Sequence, residues 1–113
     1  PLDDDVVADV PLPPPTQKGI FGYGNAGSYT AVTNLVNSSG VVATDVSGVG
    51  TAREGLSAAA YGGDKAIFGY GWTGSVSSLS NLVNNSGVVA SDTTGVGTAR
   101  RQLGAGFTDK FSY

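Results

Sequence analysis

KGIFGYGNAGSYTAVTNLVNSSGVVATDVSGVGTAREGL, residues 18–56, returns as KAIFGYGWTGSVSSLSNLVNNSGVVASDTTGVGTARRQL at residues 65–103, an offset of 47 with 25 of 39 positions identical. Self-similarity at such a period marks one supersecondary unit that buries its apolar face by stacking on a neighbour. Each copy parses into the same pieces. Lys18–Gly24 and Lys65–Gly71 are apolar and aromatic runs that end in glycine, as buried strands do at a tight bend. A loop that differs between the copies follows, and then Ala31–Val36 and Ser78–Val83 alternate small or polar with branched residues, the pattern of a half-buried strand. Asn37–Gly40 and Asn84–Gly87 have the chemistry of hairpin turns, in which Asn and Gly supply positive φ. Val41–Asp45 and Val88–Asp92 are expected to return as short strands, and the connectors Val46–Arg53 and Thr93–Arg100 share GVGTAR. Leu56–Tyr61 is a small-residue strand that Gly62-Gly63-Asp64 turns into the second IFGYG run.

Counted from the small-residue strand, one unit holds four antiparallel strands, and 56–92 is the only complete one. The first copy lacks its leading strand, while Leu103–Phe107 is a surplus one and Lys110–Tyr113 the start of another. The expected fold is therefore all-β, with two 47-residue repeats in a permuted frame (18–64 and 65–109, with 110–113 left over). A permuted frame is what ring-closing repeats use, and here closure is expected between chains. Charged residues are 13 % of the chain and glycines number 18, with Ser, Thr and Asn abundant, which fits a turn-rich β protein. A net charge of −3 and no Lys/Arg cluster remove the electrostatic term that dominates nucleic-acid affinity. No Cys and no His exclude thiolate and imidazole ligands and the usual general base near neutral pH. No run approaches the ~18 apolar residues of a membrane span, and the N-terminal residues lack the regions of a signal peptide. Residues 1–17 hold four of nine acidic residues and all five prolines, and Pro13-Pro14-Pro15 favours extended polyproline II. This segment is expected to be an arm or linker, with docking of its VVADV run as an edge strand the alternative.

Arg53, the small-residue strand Leu56–Tyr61, the apolar strand Ile67–Gly71 and the outer hairpin of Leu82–Val83 with Val88–Asp92 follow the order of the kelch repeat, which the chain resembles over about 95 residues. It departs where kelch has a glycine doublet, here Gly69-Tyr70-Gly71, and it lacks the fourth-strand tryptophan. The whole phrase KAIFGYG, NLV, GVV and GVGTAR is similar to the tandem repeats in structural proteins of tailed bacteriophages, cyanophages included. That resemblance implies propeller blades and a component of the extracellular virion, such as a tail fibre, collar or decoration protein.

Gly22-Tyr23-Gly24-Asn25-Ala26-Gly27 is a literal GxGxxG with Asp45 about 20 residues on, and the second copy repeats it at Gly69–Gly74 with Asp92. A dinucleotide site needs a helix after those glycines. The segments that follow, SYTAVTNLV and SVSSLSNLV, are poor in helix formers, so the expectation is turn glycines (Gly24, Gly40, Gly71, Gly87) and no cofactor, with dinucleotide binding a third-ranked function. Asp45 with Arg53 and Asp92 with Arg100 recur at a spacing of eight, and each is expected to be a structural pair or a carbonyl-clamping arginine that holds the connector. Drawing a catalytic carboxylate pair from these repeated acids is disfavoured, since acid–base work needs two unlike environments. Asp3-Asp4-Asp5 lacks the spacing and turn glycine of a calcium loop and is expected to be a solvated charge run. Ligand or interface contacts are best sought where the copies differ, at Asn25, Tyr29, Trp72 and Thr73, since exposed aromatics beside amides and hydroxyls suit sugars or proteins. The chain is thus expected to be a non-enzymatic structural or adhesion component. Its expected partners are copies of itself, a trimer first, other virion proteins through residues 1–17, and, as a further candidate, a surface glycan. A free-standing glycan- or protein-binding propeller is the alternative.

Overall fold

The computed structural model describes residues 18–106, so the arm expected at 1–17, the strand start at 110–113 and the metal-loop question at Asp3-Asp4-Asp5 lie outside the described residues. Two antiparallel sheets form. Strands β1 (Gly19–Asn25) and β2 (Tyr29–Val36) pair with each other. Strands β3 (Ser57–Tyr61), β4 (Lys65–Trp72) and β5 (Val76–Val83) form the second sheet in that order. The protein is all-β, and no helix occurs among the described residues. A small-residue strand leads the second sheet, and among the described residues no strand stands beside β1 in the equivalent place.

The apolar runs place Ile20 opposite Leu35 and Ile67 opposite Leu82. The register then slips by one at the same point of both hairpins, between Gly22 and Gly24 and between Gly69 and Gly71. There a single tyrosine faces two residues of its partner strand, and Tyr23 and Tyr70 adopt φ of +63° and +68°. A left-handed non-glycine residue costs about 1–2 kcal/mol, so its surroundings must hold it in place. The tyrosine hydroxyls do so by donating to carbonyls of the connectors, Tyr23 to Val49 at 2.9 Å and Tyr70 to Val96 at 3.0 Å.

The returning segments differ from the expectation of short strands over Val41–Asp45 and Val88–Asp92. They lie beside β2 and β5 through isolated bridges only, Val36 with Val42 and Thr33 with Val46, then Val83 with Val89 and Ser80 with Thr93. Between the bridges the Ala43 and Ala90 N–H groups donate to Leu35 and Leu82 O at 2.8 Å, while side-chain amides take the carbonyls, Asn34 Nδ2 donating to that of Ala43 at 3.1 Å and Asn81 Nδ2 to that of Ala90 at 3.2 Å. The turns before them form as the residue types require, by a division of labour. Gly40 and Gly87 supply φ of +82° and +81°, while Asn37 and Asn84 each accept two backbone N–H bonds on the side-chain oxygen. The strand expected over Leu103–Phe107 does not form over 103–106. That stretch is tied to the start of the second sheet by Gln102 N–H donating to Gly55 O at 2.6 Å, with a hydrogen bond from Ser57 Oγ to Leu103 O. Its would-be neighbour, the equivalent of β4, is not among the described residues.

The core lies at the meeting of the two sheets. Tyr23 and Ala31 from the first pack with Phe68, Val83 and Val89 from the second, and the Tyr23 and Phe68 rings meet edge-on at 5.1 Å. Thr33, Arg53, Ser77 and Asn81 are buried with them.

Candidate functional site

The connector 46–53 reaches the space between the sheets because its glycines let backbone approach closely on both sides. A Cβ on Gly48 would stand 2.7 Å from that of Ala31. One on Gly50, at φ +83°, would stand 2.5 Å from both Asn81 Nδ2 and Asp92 Oδ1. The chain then delivers Arg53, which is 0 % exposed, into the joint. Its fork donates from Nε to the Tyr70 carbonyl at 2.7 Å, from Nη1 to the Thr51 carbonyl at 2.9 Å and from Nη2 to Asn81 Oδ1 at 2.7 Å. The guanidinium lies 4.8 Å from the centre of the Tyr23 ring. Burying a cation is unfavourable unless every donor is engaged, and these bonds with the ring face meet most of that requirement.

Asn81 passes the interaction on, its Nδ2 donating to Asp92 Oδ1 at 2.9 Å. The same connector closes the circuit, with Thr51 N–H and Oγ both donating to the Asp92 carboxylate at 3.1 and 2.6 Å. Burial works to raise the Asp92 pKa, but the Thr51 and Asn81 hydrogen bonds and the Arg53 charge outweigh it and hold the carboxyl below its ordinary value. Burial raises the Tyr23 hydroxyl above the usual phenol value, against the lowering effect of Arg53.

The structural pairs expected at a spacing of eight are therefore connected differently. Arg53 reaches Asn81 and, through it, Asp92 of the other unit, whereas Asp45 accepts from Asn34 Nδ2 at 2.8 Å. Arg100 is exposed, donates to its own Thr98 carbonyl at 2.9 Å and stacks 4.3 Å from the Tyr70 ring centre. Asn34, Asn81 and Thr51 were not singled out in the sequence, although the polar residue inside each NLV run and the threonine of each GVGTAR repeat at the same offset of 47.

The variable loops come together at Glu54. Asn25 Nδ2 donates to Glu54 Oε1 at 3.3 Å, and Trp72 pairs with Glu54 through both backbone groups, at 2.7 and 3.0 Å. The Arg101 guanidinium covers one face of the Trp72 ring at 4.0 Å. Thr73 lies in the turn closed by its N–H donating to Ser75 O, and Tyr29 opens β2, half-buried. Gly24 and Gly71, at φ +113° and +111°, each donate to an arginine carbonyl, Arg53 at 2.8 Å and Arg100 at 2.9 Å. After the GxGxxG segments the chain continues as strands β2 and β5, where a dinucleotide site would need the start of a helix.

Two shallow grooves of 240 and 340 Å³ lie at equivalent places, the first lined by Leu35, Val36 and Val41 and the second by Leu82, Val83 and Val88. Their walls are chiefly apolar side chains of the outer hairpins. Among the described residues no three His, Cys, Asp or Glu side chains converge in a way that would hold a metal, and no helix is long and apolar enough to cross a membrane. No protein-family model, curated protein or solved structure matches this chain.

Proposed function

We propose that this chain is a non-enzymatic structural component of a phage virion, a tail fibre, collar or decoration protein assembled from propeller-like units. The observation that carries the structural role is the Arg53 network. The most deeply buried polar groups, Arg53 and Asn81, serve to fasten one unit to the next, with their hydrogen bonds made to protein partners. The virion assignment rests on the resemblance of the repeated phrase to phage structural repeats. In this proposal each unit is a blade of a kelch-like ring, three chains of two units close a six-bladed trimer, and residues 1–17 join it to another virion protein. Glycan binding through Trp72 is the weaker reading, because Arg101 already occupies one face of the ring that a sugar would stack on. Immunogold labelling of purified particles with an antibody to residues 18–106 tests the assignment. Label on the particles is expected, and label confined to the particle-free fraction would overturn it.

A further inference from the structure

The joint between the two units is made once inside the chain, yet both of its halves occur a second time. The second unit presents Phe68, 4 % exposed, and Val89, 7 % exposed, to the first. Their equivalents in the first unit, 47 residues earlier, are Phe21 at 64 % and Val42 at 53 %. The complementary half behaves the same way. Gly22 is roofed by Phe68, whose ring would stand 2.9 Å from an added Cβ, whereas a Cβ on its equivalent Gly69 would meet nothing nearer than Ser80 at 4.0 Å. Val96, the equivalent of half-buried Val49, is 77 % exposed. Arg53 is engaged on three sides, and Arg100 has only its own connector and the Tyr70 ring.

The polar partners are also ready. Asn34 already holds Asp45 and Ala43 O as Asn81 holds Asp92 and Ala90 O, but among the described residues no arginine reaches it. The position 47 before Arg53 is Val6, so the repeat register of this chain offers Asn34 no arginine of its own. An exposed cation on one face and an exposed carboxylate on the other are complementary in charge as well as in shape.

We propose that a second copy of this chain docks head-to-tail, so that Tyr70 and Arg100 of one copy receive Phe21 and the Asn34–Asp45 pair of the next. The contact reproduces the internal joint. Phe21 lies over Gly69 against the Tyr70 ring, Arg100 donates to Asn34 Oδ1, and Thr98 donates to Asp45. Such an interface is heterologous, joining unlike faces, and copies add head to tail until the first and last meet, the closure that the proposed trimer uses. The inference rests on the self-association within the proposed function and not on the virion assignment.

Sedimentation of the full chain over a wide concentration range tests it. Wild type is expected to associate reversibly. Phe21→Asp and Arg100→Ala should each weaken self-association at least about tenfold, a change of about 1.4 kcal/mol, with β-sheet circular dichroism unchanged. Mixed together, these two variants should form a one-to-one heterodimer that grows no further, since Tyr70 and Arg100 of the first variant remain intact and so do Phe21 and Asn34 of the second. Gly69→Ala gives an independent check in a residue with open space around it, and it should weaken association by placing a methyl where Phe21 lands. A wild type that stays monomeric at every concentration would overturn the proposal, as would a mixture of the two variants that fails to pair. Absence of the chain from particles would defeat the virion assignment and leave this result standing.

Discussion

Arg53→Ala would leave the Tyr70 and Thr51 carbonyls and Asn81 Oδ1 without their donor in a buried joint. Breaking a buried charged network of this kind costs about 3–5 kcal/mol, a large share of the roughly 5–15 kcal/mol that holds a small domain folded. The urea midpoint is therefore expected to fall steeply. The same substitution at Arg100, in an identical GVGTAR, removes an exposed side chain and should change dilute-solution stability by no more than about 0.5 kcal/mol. Equal losses at the two positions would contradict the asymmetry described above. Asp92 adds a pH dependence of definite sign. Its folded pKa is depressed, so its contribution is full above the unfolded value near 3.9 and is lost as pH falls through the folded value. Thermal melts across the acid range should show a flatter decline in Asp92→Asn than in wild type. At this scale the sequence singled out Asp45, Arg53, Asp92 and Arg100 by their recurrence but not whom they touch. The spacing of eight is local, whereas the contact from Arg53 to Asn81 spans 28 positions and depends on how the units stack.

The five strands were legible because apolar runs and turn residues mark both ends of each. The bulges opposite the tyrosines were not, since nothing in a GYG triplet shows that its tyrosine will face two residues of the partner strand. The returning segments read as strands because Val and Ala favour them, yet an asparagine amide takes part of the pairing that backbone would have made. Glycine pairs at equivalent positions give an element-scale test. Gly22 lies on β1 under the Phe68 ring and beside Thr33, and a Cβ would stand 2.9 Å from both. Gly22→Ala should overpack the joint and destabilise it by about 1–3 kcal/mol. Gly69→Ala on β4 meets open space and should leave the dilute protein as stable as wild type or slightly more so, through the lower entropy of its unfolded chain. Chemical denaturation of the two variants side by side distinguishes them.

For the whole molecule, two units bury their apolar residues at a single joint, so most aromatic and branched residues at the two outer faces remain exposed. Association that covers those faces stabilises the folded state by mass action, and the melting temperature of wild type is expected to rise with protein concentration while that of Phe21→Asp stays level. Which faces stay exposed was not legible in the sequence, because Phe21 and Phe68 stand in identical IFGYG runs and differ only in what stacks on them. The short hairpin connections, residues 26–28 and 73–75, matter for a different hazard. β1 and β4 are close to interchangeable in sequence, so during folding each is nearly as well suited to the other's partner strand as to its own. A three-residue link brings the correct partner close at little entropic cost, and local closure outruns the exchange of strands between units or between chains. Lengthening residues 26–28 with a flexible insert should accordingly leave native contacts unchanged yet raise the fraction of swapped dimers recovered after rapid refolding, measured by size exclusion. Near-identical neighbours can thus fold without confusing their parts because each hairpin is tied so tightly to itself.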